Sequence, residues 1–164
     1  MASPEYKQII VTMTAETLRL AQFKKKGANF SRAVNDVIHY ISFQSSQSST
    51  STALKITLNV GVWVATLAEN WEKAGILGSQ WRERIGFLMP EHNDRWWIIS
   101  SQREARIAAS EINDAVKRYV LPKLETLSTI DSLVKLWRAG IAPGLTELTV
   151  KRYLAQLSPT QYIN

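Results

Sequence analysis

Apolar side chains recur along this chain at two different periods. Tyr6, Ile9, Ile10, Met13, Thr17 and Leu20 fall along one face at helical spacing. Ahead of them, Ser3-Pro4-Glu5 supplies a capping hydroxyl, a proline for the first turn and an acid near the positive end of the helix dipole. A helix from about residue 4 to about 21 is predicted, followed by the lysine triplet Lys24-Lys25-Lys26 and Gly27. From there the period shortens to two. Phe30, Arg32 and Val34 alternate with smaller or polar neighbours, and Asn35-Asp36 makes a two-residue hairpin turn. The strand Val37 to Gln44 then places Val37, His39, Ile41 and Phe43 on one side and Ile38, Tyr40, Ser42 and Gln44 on the other.

A polar stretch, residues 45–52, has nothing to bury and reads as a loop. The next strand is the clearest: Leu54, Ile56, Leu58, Val60 and Val62 point one way, Lys55, Thr57, Asn59 and Trp63 the other. A short helix is expected from Ala65 to Ala74, carrying Leu67 and Trp71 and ended by Gly75 and Gly78. Trp81 to Leu88 and Arg95 to Ile99 read as two further strands linked by Pro90-Glu91-His92-Asn93-Asp94. On the first, parity separates Trp81, Glu83, Ile85 and Phe87 from Arg82, Arg84, Gly86 and Leu88.

Helical spacing returns from Arg103 to about Val120, with Ala105, Ala108, Ile112, Val116 and Tyr119 on one face and Pro122 marking the end. Ser128 to Ala139 opens on a sequence close to a capping box and closes at Gly140, and Thr146 or Glu147 to Leu157 forms the last helix. One helix, about five strands joined by short links and then three helices predict an α+β fold. Its antiparallel sheet should carry the helices mainly on one face, in a single domain over residues 1–164.

Composition narrows the chemistry. With no cysteine among the 164 residues, disulfides, thiolate nucleophiles and cysteine-based zinc sites are excluded. The longest nearly apolar run, Ile56 to Ala68, is too short and too interrupted to span a bilayer, and MASPEYKQ does not have the form of a signal peptide. A cytoplasmic protein is the expectation, with no membrane partner. The net charge of +6 biases it towards polyanions and acidic partners, although only the lysine triplet concentrates that charge.

No metalloprotease, nucleophile-elbow or phosphate-loop motif is present. His39 alternates with apolar residues and reads as a packed histidine, while His92 sits in a solvated turn. No metal and no cofactor is expected. A carboxylate-based hydrolase using Glu69, Glu83, Asp94 or Glu111 stays open, behind a binding role. The better candidate is the polar sheet face, and the residues named for binding are Tyr40, Lys55, Asn59, Trp63, Arg82, Arg84 and Trp96.

Trp96 and Trp97 must face opposite sides of a strand, one inward and the other free to act at an interface. The expected partner is another protein. The alternative is nucleic acid, with Arg82, Arg84, Lys55 and the lysine triplet on phosphates and Trp63 or Tyr40 stacking on bases. A plainer reading has Arg82 and Arg84 merely pairing with nearby acids on a wet surface.

Several short motifs in order carry a family resemblance. Phe23-Lys24-Lys25-Lys26-Gly27 with Phe30 and Arg32 comes first, followed by the Val37–Gln44 strand and Leu58-Asn59-Val60-Gly61-Val62. Trp81-Arg82-Glu83-Arg84-Ile85-Gly86, Asp94-Arg95-Trp96-Trp97 and Tyr119-Val120-Leu121-Pro122-Lys123-Leu124 continue the series. Over about residues 5–128 the chain resembles a bacterial family known as domain of unknown function 4304, leaving about residues 129–164 as a helical extension. The resemblance implies an α+β fold and a bacterial cytoplasmic setting. It supplies no activity and no catalytic residues. By association it implies roles such as an immunity or antitoxin protein, or an accessory factor, in conflict systems.

Overall fold

The computed structural model describes residues 3–69 and 74–157. Helix α1 (Ser3–Leu20) precedes strands β1 (Lys24–Lys26), β2 (Asn29–Val34), β3 (Val37–Ser45) and β4 (Leu54–Trp63). Two short strands follow, β5 (Trp81–Arg84) and β6 (Trp97–Ile99), and then helices α2 (Gln102–Ala115), α3 (Leu121–Glu125), α4 (Ile130–Arg138) and α5 (Glu147–Leu157). The sheet is antiparallel throughout, with β1 to β5 in sequence order. The five apolar side chains of β4 pointing inward are all fully or almost fully buried, with α1 packed against the strand and α2 against β6.

The two short strands do not form a hairpin with each other. β3 occupies one edge of β4, while β5 (Val62↔Trp81 to Asn59↔Arg84) and β6 (Ile56↔Trp97 to Leu54↔Ile99) share the other. They lie end to end in the same direction, as one strand interrupted by an excursion over residues 85–96. The expected strand to Leu88 therefore stops at Arg84, and Ile85–Phe87 form a 3₁₀ turn instead. Likewise Arg95 and Trp96 precede the second strand instead of opening it. At the gap, the Thr57 hydroxyl donates to the Arg95 carbonyl at 2.7 Å. Thr57, expected on the open face, is consequently buried. The two limbs of the excursion touch at Gly86, where an added Cβ would sit 2.0 Å from the Asn93 carbonyl oxygen and 2.5 Å from the Arg95 nitrogen.

Other expectations are corrected in the helices. In α1 the buried face is Tyr6, Ile10, Val11, Thr14 and Leu18, while Met13 and Leu20 are exposed. Thr14 tolerates burial because its hydroxyl donates to the Ile10 carbonyl at 2.8 Å. Ser3 lies within the helix with its buried hydroxyl unpartnered, so it does not act as the expected cap.

Pro122 does not end the long helix. A π-helical segment, Val116–Val120, widens the turn just before the proline and lets the helix run on as α3. The extra residue rotates the inward face, so Val120 is buried where Tyr119 was expected and Tyr119 is half-buried. Of the stretch expected to be helical from Ala65 to Ala74, the described residues show a 3₁₀ turn, Ala65–Leu67. Residues 70–73, with Trp71 among them, lie outside the described residues.

The C-terminal helices are held at the hairpin end of the sheet. Asn35 donates to the Ser128 carbonyl, Asp36 accepts from the Ile130 amide, and Thr129 with Ser132 forms the capping box of α4. α5 rests on α4 and on the turn after β4, with Trp137 and Tyr153 in ring contact.

Beneath them His39 is fully buried. One ring nitrogen meets the Leu127 carbonyl at 2.9 Å, and the other accepts from Arg32 Nε at 3.1 Å. Arg32 also binds the Ala21 carbonyl and Glu125, so α1, β2, β3 and the end of α3 meet at one neutral imidazole. Burial, and then the Arg32 charge, hold the imidazole below its ordinary value of 6.5, against the Leu127 carbonyl and Glu125, which favour the protonated form.

Two outcomes are expected from this architecture. Gly86→Ala should destabilise the protein by about 3 kcal/mol or more, because the clash is with backbone on both sides; a urea unfolding midpoint equal to wild type would contradict it. The unfolded chain takes up a proton at His39 at about 6.5, whereas the folded protein resists it. The stabilisation from His39 should therefore be complete above about 6.5 and shrink as pH falls below it. His39→Gln should be less stable at neutral pH but show a flatter profile across that interval; parallel profiles would refute the assignment.

Candidate functional site

The outer face of the sheet, opposite the apolar stripe of β4, is set by strand register. Ser42, Asn59 and Arg84 form one cross-strand row, and Tyr40, Gly61 and Arg82 the next. On the other side of the gap Lys55 pairs with Ile98. Because Trp97 faces Ile56 and the core, Trp96 turns to the outer face.

The seven residues named from the sequence separate into two groups. Lys55, Asn59, Arg84 and Trp96 gather around the gap. Two cations lie over the Trp96 ring, Arg84 Cζ at 5.1 Å and Lys55 Nζ at 5.4 Å from its centroid. Asp94 holds the arrangement, one carboxylate oxygen accepting from Arg84 Nη1 at 2.8 Å and from Trp96 Nε1 at 3.0 Å. Asn59 Nδ2 donates to Gln44 Oε1 at 2.7 Å beside Arg84. Among the described residues no helix seals this end: Arg84 and Asp94 side chains are 38% and 39% exposed, and Ile98 is 69% exposed.

Tyr40, Trp63 and Arg82 lie towards the other end. There residues 74–80 cross the sheet at Gly61, where a Cβ would meet Ser79 Oγ at 2.7 Å and Ile76 Cδ1 at 2.8 Å. Gln80 pins the crossing by hydrogen bonds to the Val64 backbone. Trp63 Nε1 is buried without a partner, and Tyr40 is half-buried, its hydroxyl pushed up by burial. Arg82 stays exposed, 3.4 Å from the Leu77 carbonyl.

Between the crossing segment and the gap runs a groove of about 870 Å³, bordered by Arg82, Arg84, Asn59 and Gln44 and by the exposed Leu77 and Phe87. A second groove, about 780 Å³, lies between the crossing segment and Lys26, Asn29 and Tyr40.

Trp97 repeats the arrangement on the inner side. Its Nε1 donates to Glu111 at 2.7 Å, Arg95 binds the same oxygen at 3.3 Å, and Arg95 Cζ lies 5.0 Å from the Trp97 ring. Each of the adjacent tryptophans is thus fixed by one carboxylate and one arginine.

Two of the carboxylates considered for hydrolysis, Asp94 and Glu111, carry ion pairs, and a third, Glu83, lies on the inner side of the sheet beside Val60. Burial raises the Glu83 carboxyl, offset by His92 and Lys123. His92 sits in the turn at positive φ, with a ring nitrogen 2.8 Å from the Phe87 carbonyl.

Sequence reasoning put Gln44 on this face without naming it for binding, and missed Asp94, Leu77 and Ile98 as parts of it. Ile98 follows from Trp96 by strand parity, and Asp94 from its spacing of two before Trp96. Leu77 depends on a chain crossing that no local pattern encodes.

Among the described residues no helix is long and apolar enough to cross a membrane. Comparison with curated proteins and with solved structures gives no significant match. A family model, that of a domain of unknown function (DUF4304), matches residues 14–126, from within α1 to just beyond α3. It takes in both strands that flank the gap and stops short of α4. This chain belongs to the DUF4304 family.

Proposed function

We propose that this protein is a non-enzymatic binding module, acting in the cytoplasm, that holds another protein against the outer face of its sheet. The observation that carries the reading is the Trp96 cluster. A large, half-buried aromatic ring stands on an open face beside two cations, its N–H fixed by Asp94, on backbone held by β4. Aromatic rings and arginine are the groups that concentrate binding energy at protein interfaces, and a ring fixed in advance loses little entropy on binding. Neutralising a toxin, or completing an assembly as an accessory factor, are roles that binding alone fills, and an immunity protein is the specific form we favour.

A second reading, nucleic-acid binding, is favoured by one observation: β1 is three exposed lysines, and Lys26 borders the groove next to Tyr40. Against it, Arg84 is already paired with Asp94, and the buried Trp63 Nε1 marks a ring that is not an open stacking platform.

Tagged wild-type protein, used to capture partners from its native host, should retain a specific protein that Trp96→Ala retains about tenfold less or not at all. Equal recovery by both proteins, or no partner, would refute the proposal. Oligonucleotide binding that weakens steeply with salt, without protein capture, would favour the second reading. Asp94→Ala should change stability by less than about 1 kcal/mol, since its ion pair is half-exposed. It should nevertheless weaken capture by releasing the Trp96 N–H; unchanged capture would show that the ring needs no such anchor.

A further inference from the structure

We infer that the occupant of the groove beside the Trp96 cluster is an acidic protein segment carrying apolar side chains, read by Arg82 and by the exposed Leu77 and Phe87. The inference rests on the binding reading above and deepens it by naming the partner's chemistry.

Charge is the first support. Arg82 borders the groove, Lys7 lies at its margin and Lys55 stands over Trp96. None of the three has an ion-pair partner among the described residues, whereas Arg19, Arg32, Arg84, Arg95 and Arg118 all do. Of the acids near the groove, Asp94 is paired with Arg84, and Glu83, which also borders it on the inner side of β5 beside Val60, is outnumbered there by Arg82, Arg84 and Lys7. The groove thus presents cations whose counter-charge has to come from outside, and a guanidinium in that position takes a carboxylate in a two-point fork.

Apolar exposure is the second. Leu77 is 87% exposed and Phe87 is 36% exposed, and both border the same groove. Large apolar side chains flanking cations fit a segment with hydrophobic anchors between acids, and contribute nothing to a phosphate backbone. The amide pair Asn59–Gln44 on its floor uses one donor and one acceptor between them. The Asn59 carbonyl and two N–H groups of Gln44 are left to meet peptide groups.

Nucleic acid is disfavoured on the same grounds. A phosphate track needs successive uncompensated cations, and here Asp94 interrupts the line between Arg82 and Lys55.

The test uses the whole protein, isotope-labelled for amide NMR, with three probes: a glutamate–tyrosine copolymer, polyglutamate and a single-stranded oligothymidine. The copolymer should bind most tightly and shift the amides of Ser42, Asn59, Arg82 and Leu77. Polyglutamate should bind more weakly, and oligothymidine weakest. Arg82→Glu should weaken the copolymer at least about tenfold. Leu77→Ser should remove its advantage over polyglutamate; both side chains are exposed, so neither change threatens folding. Tighter binding of oligothymidine, equal binding of the two polypeptides, or shifts confined to Lys24–Lys26 would each overturn the inference. Should a Trp96-dependent protein partner be captured while the copolymer fails, the inference falls and the binding module stands. Should both fail, the module falls as well.

Discussion

Strand β4 pairs along its full length on one side and with two separate short strands on the other, and the outer face is a consequence of that division. β5 leaves the edge at Asn59 and β6 rejoins it at Ile56, so two residues of β4 stand opposite the twelve-residue excursion 85–96. The chain therefore departs and returns at nearly the same place. Arg84 is the last residue before departure and Trp96 the last before return. Their contact needs no attraction of its own, because the sheet register delivers them to one another. Asp94 then fixes what register has placed, and Thr57 satisfies the Arg95 carbonyl that the missing rung leaves without a strand partner. Gly86 permits the closure, since only a residue without Cβ lets the two limbs of the excursion touch.

This division also explains what could be read from the residues in order and what could not. Alternation made β2, β3 and β4 legible, because each has one face against helices and one towards solvent. His39 was recognisable as a packed residue for the same reason. Parity required Trp96 and Trp97 to face opposite sides, and the register makes Trp97 the inner one. Parity failed at Phe87, which is exposed because the strand had already ended and the local apolar pattern continued into a 3₁₀ turn. It failed also at Thr57, which has the parity of the open face but is covered by the returning chain. Both failures occur at the gap, a tertiary feature with no local signature. The seven-residue binding set was likewise drawn from one face, as the register requires, yet its division into an open and a shielded half depends on residues 74–80 crossing at Gly61.

The helices show a similar competition between local signal and whole structure. Pro122 is a strong local stop, and its ring would collide with the carbonyl four residues earlier in a regular α-helix. The π-helical turn before it removes that collision by widening the ladder, at the cost of one residue of register. That single residue moves Val120 inward and leaves Tyr119 half-exposed at the cleft beside Trp97, Arg95 and Glu111. Uninterrupted α-helical spacing would have put Tyr119 near the centre of the buried face and Val120 at its margin. The proline thereby selects which side chain borders the inner tryptophan, through backbone geometry alone.

The two tryptophans tie these observations together. Adjacent on one strand end, they project to opposite faces, and each indole N–H is held by a carboxylate that also binds an arginine. Trp97 is nearly buried, and its carboxylate comes from α2, so this ring anchors the strand end to the helical layer. Trp96 stands on the same short backbone, one residue away, with a carboxylate drawn from the excursion itself. The inner ring removes freedom from the backbone that positions the outer one. A partner meeting Trp96 then meets a surface whose ordering was completed when the core formed, so more of the contact energy remains as affinity. A lone exposed tryptophan on a loop would have to be ordered by the partner. The doublet avoids that cost because strand parity turns one of its members into the foundation of the other.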